Sequence, residues 1–242
     1  MQEQAEAFRT GLIQDLQARA DKDPNLAAFA QTLGGLDCTV PRDITVGPKP
    51  GTVSAHLETV LAGLPNSVGF AQAIRSAASA VNWYQIFQEG TGIDPALAKG
   101  LVAGQVAGRV GLVSSSNLYV GLFLLAPNIT YPLHQHEATE LYYVVSGTLT
   151  LQHGRFGEPF AVKPGEWSVT LPNRTHALTT RDEPCLIVYT WIDQIDSENW
   201  WWEQDTNGAW QRICWKRQSD GSWQITRSEP VTEQILKDAF ET

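Results

Sequence analysis

Helical spacing opens the chain. In "QAEAFRTGLIQDLQARA" the apolar residues Ala5, Phe8, Leu12 and Leu16 recur at intervals of three and four, the period of one helix face. Asp21 to Pro24 breaks that pattern, and "PNLAAFAQTL" restarts it with proline in the first turn, where the missing N–H is harmless. The stretch "TVPRDITVGPKPGT" at 39–52 is rich in proline and glycine and predicts a loop. A third helix follows at about 53–62. After "GLPN" a longer helix is expected over 67–88, and "DPALAKGLVAG" reads as another short one.

Near residue 105 the texture changes. From there to about 227 the apolar residues come in short runs separated by turn signals: "LAPN", "SGT", "HGRFGEP", "KPGE", "LPNR", "RDEP", "DTNGAW" and "SDGSW". Short strands at that spacing predict an antiparallel sandwich or barrel. The last segment, "TEQILKDAF", predicts a terminal helix. The expected organisation is a helical N-terminal region at 1–105 packing on a barrel, the barrel itself at 106–228, and a C-terminal helix at 229–242. The expected fold class is mainly β. No internal repeat or low-complexity tract is visible.

Composition narrows the function classes. With 242 residues, 43% hydrophobic and 18% charged, the chain is ordinary globular material. Seventeen basic against twenty-six acidic residues leave a net charge of −9, which repels phosphate backbones and anionic membrane surfaces. Neither nucleic acid nor membrane is therefore an expected partner. Cys38, Cys185 and Cys214 are few, odd in number and without CxxC spacing, which fits a reducing compartment. The N-terminus shows no signal pattern. The longest apolar run, "LYVGLFLLAP" at 118–127, is half of the roughly 20 residues a membrane span needs. A cytoplasmic protein is the expectation.

Chemistry concentrates in "YPLHQHEATELYYVVSG" at 131–147. His134 and His136 are two residues apart, which on a strand puts both imidazoles on one face, about 7 Å apart along the chain. Glu140 has the same parity and can return to that side across a bend. His176 follows a turn, "LPNRTH", where a second strand can bring it alongside. Three imidazoles and a carboxylate form a mixed N/O set suited to one divalent transition metal ion, Zn, Fe, Mn, Co or Ni. Parity also divides the tyrosine pair. Tyr142 goes with Glu140 into the barrel, and Tyr143 goes with Leu141 and Val145 to the outside.

These residues carry a resemblance. "HQHEATELYYVVSG" resembles the first cupin motif through His134, His136, Glu140 and Gly147, and "PGEWSVTLPNRTH" resembles the second through Gly165 and His176. Asn128 and Asn173 stand where the two motifs have turn glycines. Asparagine is the non-glycine residue that best tolerates φ > 0, so both turns can survive. The resemblance implies a cupin, or double-stranded β-helix, barrel. The pattern HxHxxxExY, with Tyr131 five residues before His136 and Trp191 fifteen past His176, is similar to that of the cupin-type dimethylsulfoniopropionate (DMSP) lyases. The overall length and helical extension are most similar to those of the longer, L-type members.

That resemblance implies a carbon–sulfur lyase that cleaves DMSP, a small zwitterionic sulfonium, to dimethyl sulfide and acrylate by base-catalysed β-elimination. Tyr142 is then the expected base, with Tyr131 positioning the substrate or sharing that role, and Trp191 a wall for the sulfonium. A cupin Fe(II) oxygenase with the same ligands and a non-catalytic small-molecule-binding cupin are the alternatives. Five of the nine tryptophans lie at 198–215, a cluster expected to pack a sheet face or a subunit contact, which raises a homodimer as an expectation. His153 is expected at an exposed hairpin tip, and His56 is read as structural or exposed. Trp83 and Tyr84, in helical surroundings, are expected to pack against the barrel, with delivery of one of them to the pocket by a helix capping the barrel mouth as the alternative.

Overall fold

The computed structural model describes residues 1–39, 47–64, 69–90, 92–218 and 222–241. Residues 40–46 of the expected loop, 65–68 where a break and a helix start were expected, and 219–221 of the last turn lie outside the described residues. Four helices come first: α1 (Gln2–Gln17), α2 (Asn25–Gly34), α3 (Gly51–Ala62) and α4 (Ala71–Ala80). The stripe of α1, Ala5, Phe8, Leu12 and Leu16, is buried as its spacing predicts. Among the described residues no helix is long and apolar enough to cross a membrane.

Strand structure begins earlier than the sequence pattern suggests. Helix α4 stops at Ala80 rather than 88. Val81 turns extended, and Trp83–Gln85 form β1, paired antiparallel with β2 (Leu101–Ala107). "DPALAKGLVAG" divides in the same way. The Asp94 carboxylate accepts the Ala96 N–H at 2.7 Å and Pro95 opens the six-residue α5 (Pro95–Gly100), after which the chain straightens at once into β2. Every residue of β2 is buried. Such a strand shows no polar alternation, and over a few residues its apolar run has no period to separate it from a helix.

The later strands are β3 (Leu118–Leu125), β4 (Thr130–Gln135), β5 (Ala138–Ser146), β6 (Leu149–His153), β7 (Phe160–Val162), β8 (Trp167–Thr170), β9 (His176–Thr179), β10 (Cys185–Asp193), β11 (Asn199–Gln204), β12 (Trp210–Arg217) and β13 (Trp223–Pro230). They form two antiparallel sheets, in the orders β1-β2-β3-β10-β5-β8 and β13-β12-β11-β4-β9-β6-β7. A short helix, α6 (Glu233–Asp238), closes the described chain, its first turn capped by the Thr232 hydroxyl.

The six-stranded sheet is covered on both faces. Leu141, Tyr143, Val145, Leu186 and Val188 pack outward against Phe8, Leu12, Phe29 and Phe70 of the helical layer. Tyr142, Val144, Ile187 and Tyr189 point inward and meet Leu149, Leu151, Leu178 and Trp215 of the second sheet. The outward core fixes the sheet, and the inward core leaves room for polar side chains at one end.

The turns that set strand register behave as their residues predict. Asn128 and Asn173 both take positive φ, 60° and 63°. Gly147 sits at φ 74° in the β5–β6 turn, where an added Cβ would lie against the Pro184 carbonyl oxygen, far inside van der Waals contact. Gly147→Ala is expected to destabilise the protein by about 2–4 kcal/mol, combining left-handed strain with a backbone clash. Asn173→Gly is expected to stay within about 0.5 kcal/mol of the parent. Urea unfolding midpoints measure both.

Candidate metal centre

The second sheet brings two of the histidines together by register. His134 on β4 lies directly opposite His176 on β9. His136 follows in the short link to β5, where its carbonyl accepts the Asn173 N–H at 2.8 Å. Glu140 is delivered by β5. The three imidazoles are buried, with ring centroids 4.0 Å apart for His134–His176, 5.2 Å for His136–His176 and 6.2 Å for His134–His136. Their ligand nitrogens all lie within 4.8 Å of one another, the one such group of histidine, cysteine or carboxylate among the described residues.

Backbone carbonyls fix which ring nitrogen faces inward. His134 Nδ1 is 2.8 Å from the Pro132 oxygen, His136 Nδ1 3.0 Å from Ala138 and His176 Nδ1 3.0 Å from Arg174. A carbonyl can only accept, so each Nδ1 carries the proton, and a neutral ring then presents a bare lone pair at Nε2. Glu140 Oε2 lies 2.9 Å from His136 Nε2 and 3.4 Å from His176 Nε2. Lone pairs that close repel unless a cation lies among them.

The electrostatics point the same way. Burial lowers His134 well below its usual range, and His176 and His136 beside it lower it further. Burial also lowers His176, against the pull of Glu140. For Glu140 itself burial pushes the pKa up, and only N–H donors or positive charge at the His136 and His176 side of the cage outweigh it and hold the carboxyl below the usual carboxylate range; with both Nδ1 atoms protonated, that role falls to a cation. The second Glu140 oxygen, Oε1, is buried without a hydrogen-bond partner. Neutral imidazole nitrogens, an ionised carboxylate and an unpartnered carboxylate oxygen make a donor set that fits a divalent ion.

The other expected residues gather around this cage. Tyr142 is buried, its hydroxyl 3.4 Å from His176 Nε2, whereas Tyr143 faces the helices and meets Arg19 Nη2 at 3.2 Å. Tyr131 lies flat on His134, with centroids 3.8 Å apart at 9°. Trp191 stands opposite Glu140 in the β5–β10 register and lays its ring 4.1 Å from His136.

Several neighbours were not singled out in the sequence. Tyr189, opposite Tyr142, is buried and stacks on Phe123 at 3.8 Å and 11°. Its spacing of two from Trp191 was the available signal. Phe87, Asn199 and Trp201 pack or bond to Tyr131. Trp83 and Tyr84 lie on a strand rather than in helical surroundings: Tyr84 turns toward Tyr189 and Arg217, while Trp83 is buried against the helices and donates its N–H to Ala78.

The tryptophan cluster divides by strand parity. Trp201 and Trp215 point into the barrel, 5.4 Å apart. Trp200 lies outside under the guanidiniums of Arg212 and Arg227, at 4.1 and 4.5 Å, and Trp202 donates to Gln135. His153 is not at an exposed tip. It ends β6 opposite His176, half-buried, with Nε2 3.4 Å from Thr170 Oγ1 and 3.5 Å from Ser168 Oγ. His56 is half-buried on α3 and belongs to no metal-binding group among the described residues.

Two facing antiparallel sheets with an HxH pair, a glutamate and a distant histidine in one buried cage define a cupin whose site fits a metal ion. Comparison with known proteins narrows the class. The DMSP lyase family model matches residues 39–187, and the chain belongs to that family. The DMSP lyase DddQ of Ruegeria pomeroyi DSS-3 is 25% identical over 190 residues, which cover 77% of this chain and 90% of the relative. The crystal structure of DddQ from the same organism superposes with a TM-score of 0.61 at 21% identity, covering 80% of this chain and 95% of that one. A structure reported with the DMSP lyases RdDddP and RnDddQII gives 0.56 at 24%, covering 81% and 97%.

Two outcomes follow from this geometry. The purified protein is expected to bind one divalent transition ion per chain, and His176→Ala to weaken that binding by more than about 100-fold, beyond the range for outer-shell partners, as measured by chelator competition. Burial, then Arg174 and His176, lower the His153 pKa to about 3, whereas the unfolded chain takes up that proton near 6.5. The contribution of His153 to stability is therefore fully present above about pH 6.5 and is lost as pH drops toward 3. His153→Gln is expected to remove about one proton from the pH slope of urea-unfolding stability.

Proposed function

We propose that the chain is a metal-dependent lyase that cleaves DMSP to dimethyl sulfide and acrylate by β-elimination, with Tyr142 as base, Tyr131 and Trp191 holding the substrate, and His134, His136, Glu140 and His176 holding one divalent transition ion. The observation that carries the reading is the buried Tyr142 hydroxyl 3.4 Å from a cage imidazole nitrogen, in a chain of the DMSP lyase family.

The substrate presents a carboxylate at one end and a dimethylsulfonium at the other. Bound in the cage, the metal ion would act as a Lewis acid that draws charge off the carboxylate and favours ionisation of a nearby phenol. Tyr131 offers its O–H to the carboxylate, and its ring is held against His134 by stacking. Trp191 supplies an aromatic face to a cation that has no N–H donors, a contact worth about 0.5–2 kcal/mol.

Tyr142, as phenolate, takes the proton from the carbon next to the carboxylate. The C–H electron pair becomes the double bond of acrylate, and the C–S pair leaves on sulfur as neutral dimethyl sulfide. Burial, and then the Glu140 carboxylate, push the Tyr142 pKa well above 10. The phenol is thus a poor base in the bare cage, and its activity depends on positive charge there. The substrate is a small zwitterion, and the buried free thiols of Cys38, Cys185 and Cys214 fit the cytoplasm.

Headspace dimethyl sulfide from metal-loaded protein given DMSP tests the reading. Tyr142→Phe is expected to lower kcat by about 10²–10⁴-fold, the usual worth of a general base, with metal content unchanged. No release from fully loaded protein, or oxygen uptake during turnover, would overturn it.

A further inference from the structure

Asn199 opens β11 and is 8% exposed, between strands β4 and β12 of the second sheet. Its Nδ2 donates to the Tyr131 hydroxyl oxygen at 3.3 Å. Its other amide atom, Oδ1, is buried with no hydrogen-bond partner. Nothing among the described residues accepts the Tyr131 proton either. A buried acceptor and a buried donor on adjacent groups, both unused by the protein, are costly in a folded interior. They are expected where a ligand completes the bonding.

The tyrosine has little freedom to resolve this by moving. Its ring is clamped flat on His134, with Phe87 edge-on at 5.4 Å and Trp201 tilted against it at 5.6 Å. A phenolic O–H lies near the ring plane and has two low-energy positions. The amide N–H approaches the oxygen from one side and the indole N–H of Trp201, which can only donate, also faces it, so the proton takes the position that these donors leave open.

We infer that Asn199 is a positioning residue: its amide holds the Tyr131 oxygen from one side and so turns the phenolic O–H outward to donate to the substrate's carboxylate. The inference rests on the lyase reading of the same site. It assigns the Asn199–Tyr131 pair to substrate binding, apart from the proton transfer at Tyr142.

The test is a double-mutant cycle on metal-loaded protein: wild type, Asn199→Ala, Tyr131→Phe and the double variant, with Asn199→Asp as an isosteric fifth. KM and kcat for DMSP are measured, together with acrylate binding by calorimetry, metal content and melting temperature. Asn199→Ala is expected to raise KM and the acrylate Kd about tenfold, as for one hydrogen bond to a charged group, with kcat within about twofold. In the Tyr131→Phe background it is expected to change neither further. Asn199→Asp, which can only accept the phenolic proton, is expected to be at least as impaired as Asn199→Ala.

Effects that multiply across the two backgrounds would mark Asn199 as a general structural residue and overturn the inference. So would wild-type constants in Asn199→Asp, because the amide would then be accepting the phenol's proton. If the wild type fails to turn over DMSP, the lyase reading falls. The acrylate cycle still decides the pair: the same non-additivity supports it, and multiplying losses overturn it.

Discussion

The structure is organised around one costly act, the burial of three imidazoles and a carboxylate at a single point inside a barrel. Isolated polar groups of this kind are expensive to remove from water unless each finds a partner. The chain meets that cost locally for one nitrogen of each ring, giving every Nδ1 a backbone carbonyl two residues away in sequence. The inward nitrogens and Glu140 are left facing one another. A cage arranged this way is stable only around positive charge, and the surrounding packing has to keep it from relaxing into a looser arrangement.

That packing comes from the six-stranded sheet, which is covered on both faces. Helices α1, α2 and α3 hold its outer side in one core with Leu141, Tyr143 and Leu186, and the second sheet holds its inner side. The adjacent tyrosines show the division directly. Tyr143 meets Arg19 and Phe70 in the helical layer, whereas Tyr142, one residue earlier, reaches His176. A one-residue slip of β5 would exchange them and withdraw Glu140 from the cage. The helical layer is thus part of what specifies the site, although it supplies none of the candidate ligands.

Much of this was legible because strand parity is local. Alternation within β5 puts Glu140 and Tyr142 inward and Tyr143 outward, the close spacing of His134 and His136 carries across the bend after β4, and the asparagines at 128 and 173 mark turns because few other residues accept their φ. Other elements depended on partners far along the chain. Strand β2 looks helical because both its faces are covered, and β1 exists because β2 lies beside it. His153 sits in a hairpin segment that looked exposed, yet register places it opposite His176. The run Trp200–Trp202 is uniform in sequence, and only the position of β11 beside β4 sends Trp201 inward and its neighbours out.

The aromatic character of the interior bears on the proposed reaction itself. Among the described residues Glu140 is the one buried acidic side chain at the cage, and Trp191 meets the imidazoles as a ring rather than a charge. An additional carboxylate would bind a sulfonium more strongly than an indole does. That attraction would be lost as the C–S bond breaks and sulfur becomes neutral, so it would stabilise the bound substrate more than the transition state and slow the chemical step. An aromatic wall holds the cation weakly and shape-selectively, and it loses little when the charge disappears. In the proposed arrangement the strong electrostatics would be concentrated instead at the carboxylate end, where negative charge persists from substrate through product.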